Sequence, residues 1–297
     1  MIEKKSKSRI IFNIFNYGFM ILFSIICILP VWHVVMASIS NPRLLMAASG
    51  LILKPLGDIT LDGYKMVFEN STILMGYLNT IIYVVTTAVG GAFLTAIAGY
   101  LVSRKNFKLA KPLTAYIMFT MIFSGGLIPT YMVIRSLGMI NTRWAIILPS
   151  LINAYYIIIM KSSFEQLPES FEESAKIDGA GSMTILFRIL IPLVKPTMVV
   201  VIMFTVIMQW NSWYPASIYL PRARDCWPLQ LIMRSLLIQN DTASIISSSN
   251  EANHLINMTG NLVKYCVTVV GTAPILLAYP FAQKYFVTGI TLGGVKE

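Results

Sequence analysis

Six stretches of this chain contain no aspartate, glutamate, lysine or arginine: residues 10–42, 70–103, 112–134, 144–160, 196–221 and 265–283. A helix needs about 20 residues, range about 17–25, to cross the hydrocarbon core of a bilayer. All six stretches qualify, with 144–160 at the short limit. Two further apolar runs, 44–53 and 252–263, are too short to span. The sequence therefore predicts an all-α membrane protein with six transmembrane helices. Composition agrees: 56% of the 297 residues are hydrophobic and 12% charged, against about 25% charged in a soluble domain, and the mean hydropathy is +0.69.

The net charge of +10 does not point to nucleic acid. The basic residues are scattered at the ends of apolar runs, with no basic stripe interleaved with aromatics. They read as topology signals and as contacts with anionic lipid head groups. Six spans put both termini on one side. With that side inside, segments 1–9, 104–111, 161–195 and 284–297 hold 4, 4, 4 and 2 Lys or Arg; the outer segments 43–69, 135–143 and 222–264 hold 3, 2 and 4. The density is about twice as high inside, which predicts cytoplasmic termini. "SRKNFKLAK" at 103–111 is the strongest marker, whereas Arg222 and Arg224 oppose it. "MIEKKSKSRI" before a long apolar run resembles a signal peptide, but the run exceeds an ordinary signal core and is expected to be an uncleaved first span. The three cysteines, Cys27, Cys226 and Cys266, form no CxxC and suggest neither a metal nor a redox framework.

Pro30, Pro129, Pro149, Pro274 and Pro280 fall inside spans and free carbonyls that neighbours must satisfy. Gly90, Gly91, Ala92, Ala96, Ala98 and Gly99 give the second span a small-residue face, read as close helix packing or, more sharply, as a hinge. Within the runs the only titratable imidazole is His33, expected to be packed or interfacial. His254, in the outer loop, has no partner at metal-ligand spacing. Ion-coupled carriers usually place ionisable groups at the midplane; these runs hold no carboxylate, Lys or Arg. "GAGSMT" at 179–184 has the glycines of a phosphate loop without its lysine, and no G-x-S-x-G or H-E-x-x-H occurs. Work by such a chain would draw its free energy from another chain.

The longest inner segment, 161–195, is not built as a floppy loop. Pro168 suits a first helical turn, and Glu169, Glu172 and Glu173 complement the positive end of a helix dipole. Phe171, Ser174 and Ala175 share a face at i, i+3, i+4. Gly179 sits where a helix closes in the left-handed conformation. Ser182 is expected to cap a second helix, "MTILFRILI", ending before Pro192. The product is a helix–turn–helix whose small bend residues admit a close partner.

Glu173-Ser174-Ala175, three residues, Gly179, nine residues, then Ile189-Leu190-Ile191-Pro192 resembles the E-A-A-x-x-x-G…I-x-L-P pattern of the permease subunits of bacterial ABC importers. Both spacings match; Ser174 replaces an Ala and Ile191 a Leu, both mild in size. Asp178-Gly179-Ala180, Phe187, "QWNSWYP" at 209–215 and "GITLGGVKE" at 289–297 are similar to the sugar-importer branch, above all the smaller permease of the maltose-type heterodimer and permeases for polysaccharide-derived oligosaccharides. The resemblance covers the whole chain. It implies the ABC type I importer permease fold: a cytoplasmic segment 1–13, a six-span domain 14–290 with a cytoplasmic coupling hairpin 165–192 and an extracellular loop 216–263, and a cytoplasmic tail 291–297. It also implies a bacterial cell-membrane protein that is no enzyme by itself. Its implied partners are a second permease, two ATPase subunits carrying the ATP and Mg, and an extracellular binding protein delivering an oligosaccharide; the chain itself holds no cofactor and no metal. Glu172, Glu173, Ser174, Ala175, Asp178, Gly179, Ala180 and Phe187 are the implied ATPase-coupling residues. The alternative is a hairpin that only covers the inner mouth of the bundle.

For a sugar path the candidates are Gln209, Trp210, Asn211, Trp213 and Tyr214, with Asn153, Tyr155 and Tyr156 on the fourth span. Amides offer hydrogen bonds and aromatic faces suit stacking on sugar rings; an interfacial aromatic belt would look the same. "ISSSNEAN" at 245–252 lies in the outer loop, which by resemblance contacts the binding protein. Arg222, Arg224 and Arg234 favour an anionic, uronate-bearing sugar, with Asp225 offsetting them. Import of another solute and a non-transporting membrane scaffold remain as alternatives.

Overall fold

The computed structural model describes residues 7–238 and 253–294, in the second stretch without the side chains of 253–259, 281, 282 and 284–294. The described residues are mainly helical, with no strand among them. "ISSSNEAN" and the last three residues lie outside them, as do the side chains of His254 and of most of the C-terminal motif.

The chain divides into two units. The first comprises residues 1–70 and 235–272. It contains α1 (Lys7–Ser38), α2 (Pro42–Ala47) and α3 (Asp62–Glu69), with the leading part of the last helix, α14 (Asn253–Gly294). Most of α1 exposes its apolar side chains, as a helix solvated by lipid would. Its buried end is tied by the Cys266 thiol donating to the Ser38 carbonyl at 3.3 Å, and by Ser38 Oγ meeting the Tyr64 hydroxyl at 2.7 Å. His33 is packed, as expected: its Nδ1 accepts from the Ile52 amide at 2.9 Å, and its ring meets Tyr265 edge-on. Residues 253–263 of the run 252–263, too short to span alone, are the first part of α14, whose segment Gly260–Pro280 is long and apolar enough to cross.

The second unit, residues 71–234 and 273–297, is organised around α4 (Ser71–Ser103). Against it pack α7 (Trp144–Ser150), α8 (Ala154–Glu165) and α11 (Lys195–Trp210). The small-residue face of α4 makes this contact. A Cβ on Gly91 would lie 2.9 Å from the Leu151 carbonyl oxygen, and one on Gly99 2.8 Å from Met160 Cβ. Close packing, rather than a bend, is what these residues provide.

Two of the six expected spans are not straight. The run 112–134 is broken into α5 (Ala110–Ile122) and α6 (Leu127–Ser136), bent by 116°. The cause is Gly126, at φ +78° and ψ −173°, a conformation essentially closed to residues with a Cβ. Pro129 then occupies the first turn of α6, where it costs no ladder bond. The run 196–221 also gives less than one span. α11 has 16 residues, about 24 Å at 1.5 Å per residue; the chain breaks at Asn211–Trp213 and resumes as α12 (Tyr214–Tyr219), followed by α13 (Leu229–Ile238). Among the described residues, four helical stretches, Lys7–Ser38, Ser71–Ser103, Trp144–Glu165 and Gly260–Pro280, are long and apolar enough to cross, or up to six if the bent pairs 110–136 and 182–210 each count once. Pro30, Pro149, Pro274 and Pro280 sit inside helices that continue through them.

Between α8 and α11 the chain forms α9 (Ser170–Ile177) and α10 (Ser182–Leu193). The second arm differs from expectation at both ends. Gly181, not Ser182, occupies the cap position. The helix passes through Pro192 to Leu193 because Ile185–Leu190 is wound as a π-helix; shifted i→i+5 bonding accommodates a residue without an N–H. The chain then turns by 87° into α11.

Candidate functional site

The α9–α10 hairpin is fastened to the body by its own sequence. Its bend is a Schellman closure: Ala180 N–H donates to the Ala175 carbonyl at 2.9 Å and Gly179 N–H to the Lys176 carbonyl at 3.0 Å. Gly179 has φ +81°, the left-handed value expected of it. Among the described residues, apart from its chain neighbours, nothing comes within 4 Å of a Cβ built there. The bend is thus open on its outer side.

Below the bend, one apolar cluster joins five elements. It contains Ala96 and Tyr100 of α4, Met160 and Phe164 of α8, Ala175 of α9, Ile185, Leu186 and Leu190 of α10, and Met198 and Val201 of α11. Ile185, Leu186 and Leu190 are at most 1% exposed. Protein interiors pack to crystal-like density, and α10 is packed in this way against α4, α8 and α11.

A polar tie reinforces this cluster. Glu172 is buried, and its Oε1 accepts from the Tyr100 hydroxyl at 3.1 Å and from Lys176 Nζ at 2.8 Å. Its Oε2 faces Arg104 Nη1 at 2.7 Å, while the same guanidinium lies over the Tyr100 ring at 4.8 Å. Burial raises the Glu172 pKa, but the Lys176, Arg104 and Tyr100 interactions outweigh it, and the carboxyl titrates below its ordinary range. Farther out, Lys105 Nζ meets Glu169 at 2.8 Å on the exposed surface, and that bond lowers the Glu169 pKa.

The eight hairpin residues singled out in the sequence thus divide. Glu172 and Ala175 are buried against α4 and the core, Ala180 packs at the edge of that core, and Phe187 stacks on Phe93 of α4 with ring centroids 5.5 Å apart. Glu173, Ser174, Asp178 and Gly179 are exposed at the bend. Sequence reasoning missed two features. One is the exposed apolar side chains Ile177 and Met183, 86% and 60% exposed; an isoleucine between Lys176 and Asp178 in a charged helix was the available signal. The other is the Arg104–Tyr100 cradle, whose partners lie about 70 positions away; only the Glu172/Lys176 spacing of four was legible.

The aromatic candidates divide similarly. Gln209 and Trp210 are buried, and Trp210 meets Tyr77 edge-on at 6.1 Å. Tyr156 stacks on Phe204 across α8 and α11 at 6.4 Å. Asn153 caps α8, accepting from the Tyr155 amide at 2.9 Å. Asn211, Tyr155 and Tyr214 are exposed, although Asn211 donates to the Ile207 carbonyl at 2.8 Å. Trp213 is half-buried, with Tyr214 edge-on at 5.5 Å and the Arg234 guanidinium 3.8 Å from its ring centroid.

At the opposite end of α4, a buried amide fixes the segment that follows α12. Asn79 Nδ2 donates to the Asp225 and Trp227 carbonyls at 2.6 and 3.1 Å, and its Oδ1 accepts from Arg143 at 2.9 Å. The Tyr83 hydroxyl donates to the Cys226 carbonyl at 2.7 Å, and Thr80 accepts from the Leu229 amide at 2.8 Å. Among the described residues, no group of three or more His, Cys, Asp or Glu is placed to hold a metal.

Residues 91–291 match the family model described as "Binding-protein-dependent transport system inner membrane component". The chain is 37% identical to the polygalacturonan/rhamnogalacturonan transport system permease protein YtcP of Bacillus subtilis, covering 98% of this chain and 99% of that one. It is equally 37% identical to Protein LplC of the same organism, over 98% and 97%. Among solved structures, it is similar to a chain of a bacterial ABC transporter involved in the import of the acidic polysaccharide alginate. That match has a TM-score of 0.85 at 29% identity and covers 95% of this chain and 99% of that one. The charge-free helices, the hairpin and these matches agree: the chain belongs to the binding-protein-dependent transport inner-membrane components, as a multi-pass plasma-membrane permease of the ABC importer type.

Proposed function

We propose that this permease forms half of the translocation path of an ATP-driven oligosaccharide importer. It works beside a second permease, two cytoplasmic ATPases that carry ATP and Mg, and an extracellular binding protein. The observation that carries the reading is the hairpin: open at the bend, yet built into the core shared by α4, α8 and α11. In this role Glu173, Ser174, Asp178 and Gly179 meet the ATPase with Ile177 and Met183, while Glu172, Ala175, Ala180 and Phe187 transmit its movement to the spans. ATPase closure displaces the hairpin, and the packed core carries that displacement to the helices lining the path. The excess of Lys and Arg over the four segments of that side taken together, 14 in 66 residues against 9 in 79 on the other, supports a cytoplasmic face for the hairpin and for both termini.

Asn211 and Tyr214, at the break after α11, and Tyr155 on α8 are the side chains most open to a passing sugar. Gln209, Trp210 and Tyr156 shape the wall behind them, with Trp213 between. The relative YtcP is named for polygalacturonan and rhamnogalacturonan, the similar solved transporter imports the acidic polysaccharide alginate, and Arg234 over Trp213 places a cation beside an aromatic face. Together these support an acidic, polysaccharide-derived oligosaccharide as substrate.

The experiment is retention of the ATPases by the affinity-purified permease pair. Glu173→Lys and deletion of Gly179 are expected to lower retention at least tenfold while the two permeases stay paired. Full retention and unchanged transport in both variants would refute the coupling role.

A further inference from the structure

We propose that the cytoplasmic-side end of α4 and the start of α5 form a binding site for the phosphodiester head group of an anionic glycerophospholipid, with one acyl chain laid along α5. The groove between α4, the 104–109 turn, α5 and the end of α8 encloses about 760 Å³ and is lined by Arg104, Lys105, Lys108, Lys111, Lys161 and Glu165, among others. Most of this charge is already matched. Arg104 is held by Glu172 at 2.7 Å, Lys105 by Glu169 at 2.8 Å, and Lys161 by Glu165 at 2.7 Å. Lys108 and Lys111 are both exposed, and neither pairs with a carboxylate among the described residues. They leave the groove with two uncompensated cations, three positions apart, at the mouth of an apolar run.

The wall above them suits a hydrocarbon chain. Lys111, Ala115 and Met118 stand at i, i+4 and i+7, on one face of α5. Ala115 and Met118 are exposed and line the same groove. The small Ala115 keeps the groove open along α5 between Lys111 and Met118. The turn joins two runs without Asp, Glu, Lys or Arg, 70–103 and 112–134, so the two lysines sit at head-group depth whichever leaflet they face. Basic grooves between spans at that depth are suited to phospholipid heads. A free phosphate would use the lysines and leave the Ala115–Met118 part of the groove without a role.

The transporter, with its partner permease and ATPases, is placed in nanodiscs of phosphatidylcholine with increasing phosphatidylglycerol, and retained lipid is counted by native mass spectrometry. The wild type is expected to keep phosphatidylglycerol selectively, with binding weakened about fivefold by each of Lys108→Gln and Lys111→Gln. Ala115→Trp, which fills that part of the groove at constant charge, is expected to release the lipid as well. Lys54→Gln, an exposed lysine elsewhere, is the control and should change nothing. Undiminished retention by the double lysine variant would overturn the proposal. So would saturation of the site by inorganic phosphate in phosphatidylcholine discs, with no further gain from phosphatidylglycerol.

Discussion

Glu172 and Glu173 are neighbours in an acidic segment, yet they stand in opposite environments. One is buried under Tyr100, Arg104 and Lys176; the other is exposed at the bend. Glu172→Gln retains the shape and an acceptor for Tyr100 but leaves the half-buried Arg104 without its counter-charge. The cost is expected to be about 1–3 kcal/mol, read as roughly tenfold faster amide exchange across 170–180. The acid dependence has a definite sign. Because the folded-state pKa of Glu172 is lowered from 4.5, its contribution is fully present above that value and is lost as pH falls through the lower folded one. Hairpin exchange should therefore stay independent of this group from neutrality down to the ordinary carboxylate range, and accelerate below it. In the Gln variant the acid acceleration should be absent. An equal acid response in both proteins would remove Glu172 as the tie.

At the scale of elements, the distinction is between glycines that pack and glycines that face lipid. Gly99 is pressed against Met160 Cβ and the Lys161 amide, at 2.8 and 3.2 Å from the position of an added Cβ, whereas Gly18 on α1 has nothing within 4 Å. Gly99→Ala is expected to destabilise by about 1–3 kcal/mol through overpacking. Gly18→Ala is expected to be neutral or slightly stabilising, by at most about 1 kcal/mol from helix propensity. Thermal unfolding of the detergent-solubilised complex checks both. The legibility of the elements follows the same physics. Charge-free length revealed α1, α4 and α14, because hydrocarbon solvation imposes it directly. It missed the 116° break at Gly126 and the early end of α11, because apolar composition does not distinguish a spanning helix from two short ones. The Schellman closure at Gly179 was readable because it is local, whereas the Asn79 clamp on residues 225–227 joins positions about 147 apart and leaves no local pattern.

For the whole molecule, the absence of Asp, Glu, Lys and Arg from the apolar runs and the integration of the hairpin into the core lead to one mechanical account. On the proposed coupling role, energy would enter at the α9–α10 bend and reach the path through the packed α4–α8–α11 body. The most direct measurement is uptake of labelled oligosaccharide into vesicles holding both permeases and ATPases, with binding protein and ATP supplied on their proper sides. Hydrolysis is recorded in the same preparation, for the wild type and for Glu173→Lys. Uptake that requires ATP, rises with the loaded binding protein and falls at least tenfold in Glu173→Lys is the expected result. Uptake by the permeases without the ATPases, or at the wild-type rate in Glu173→Lys, would contradict the account.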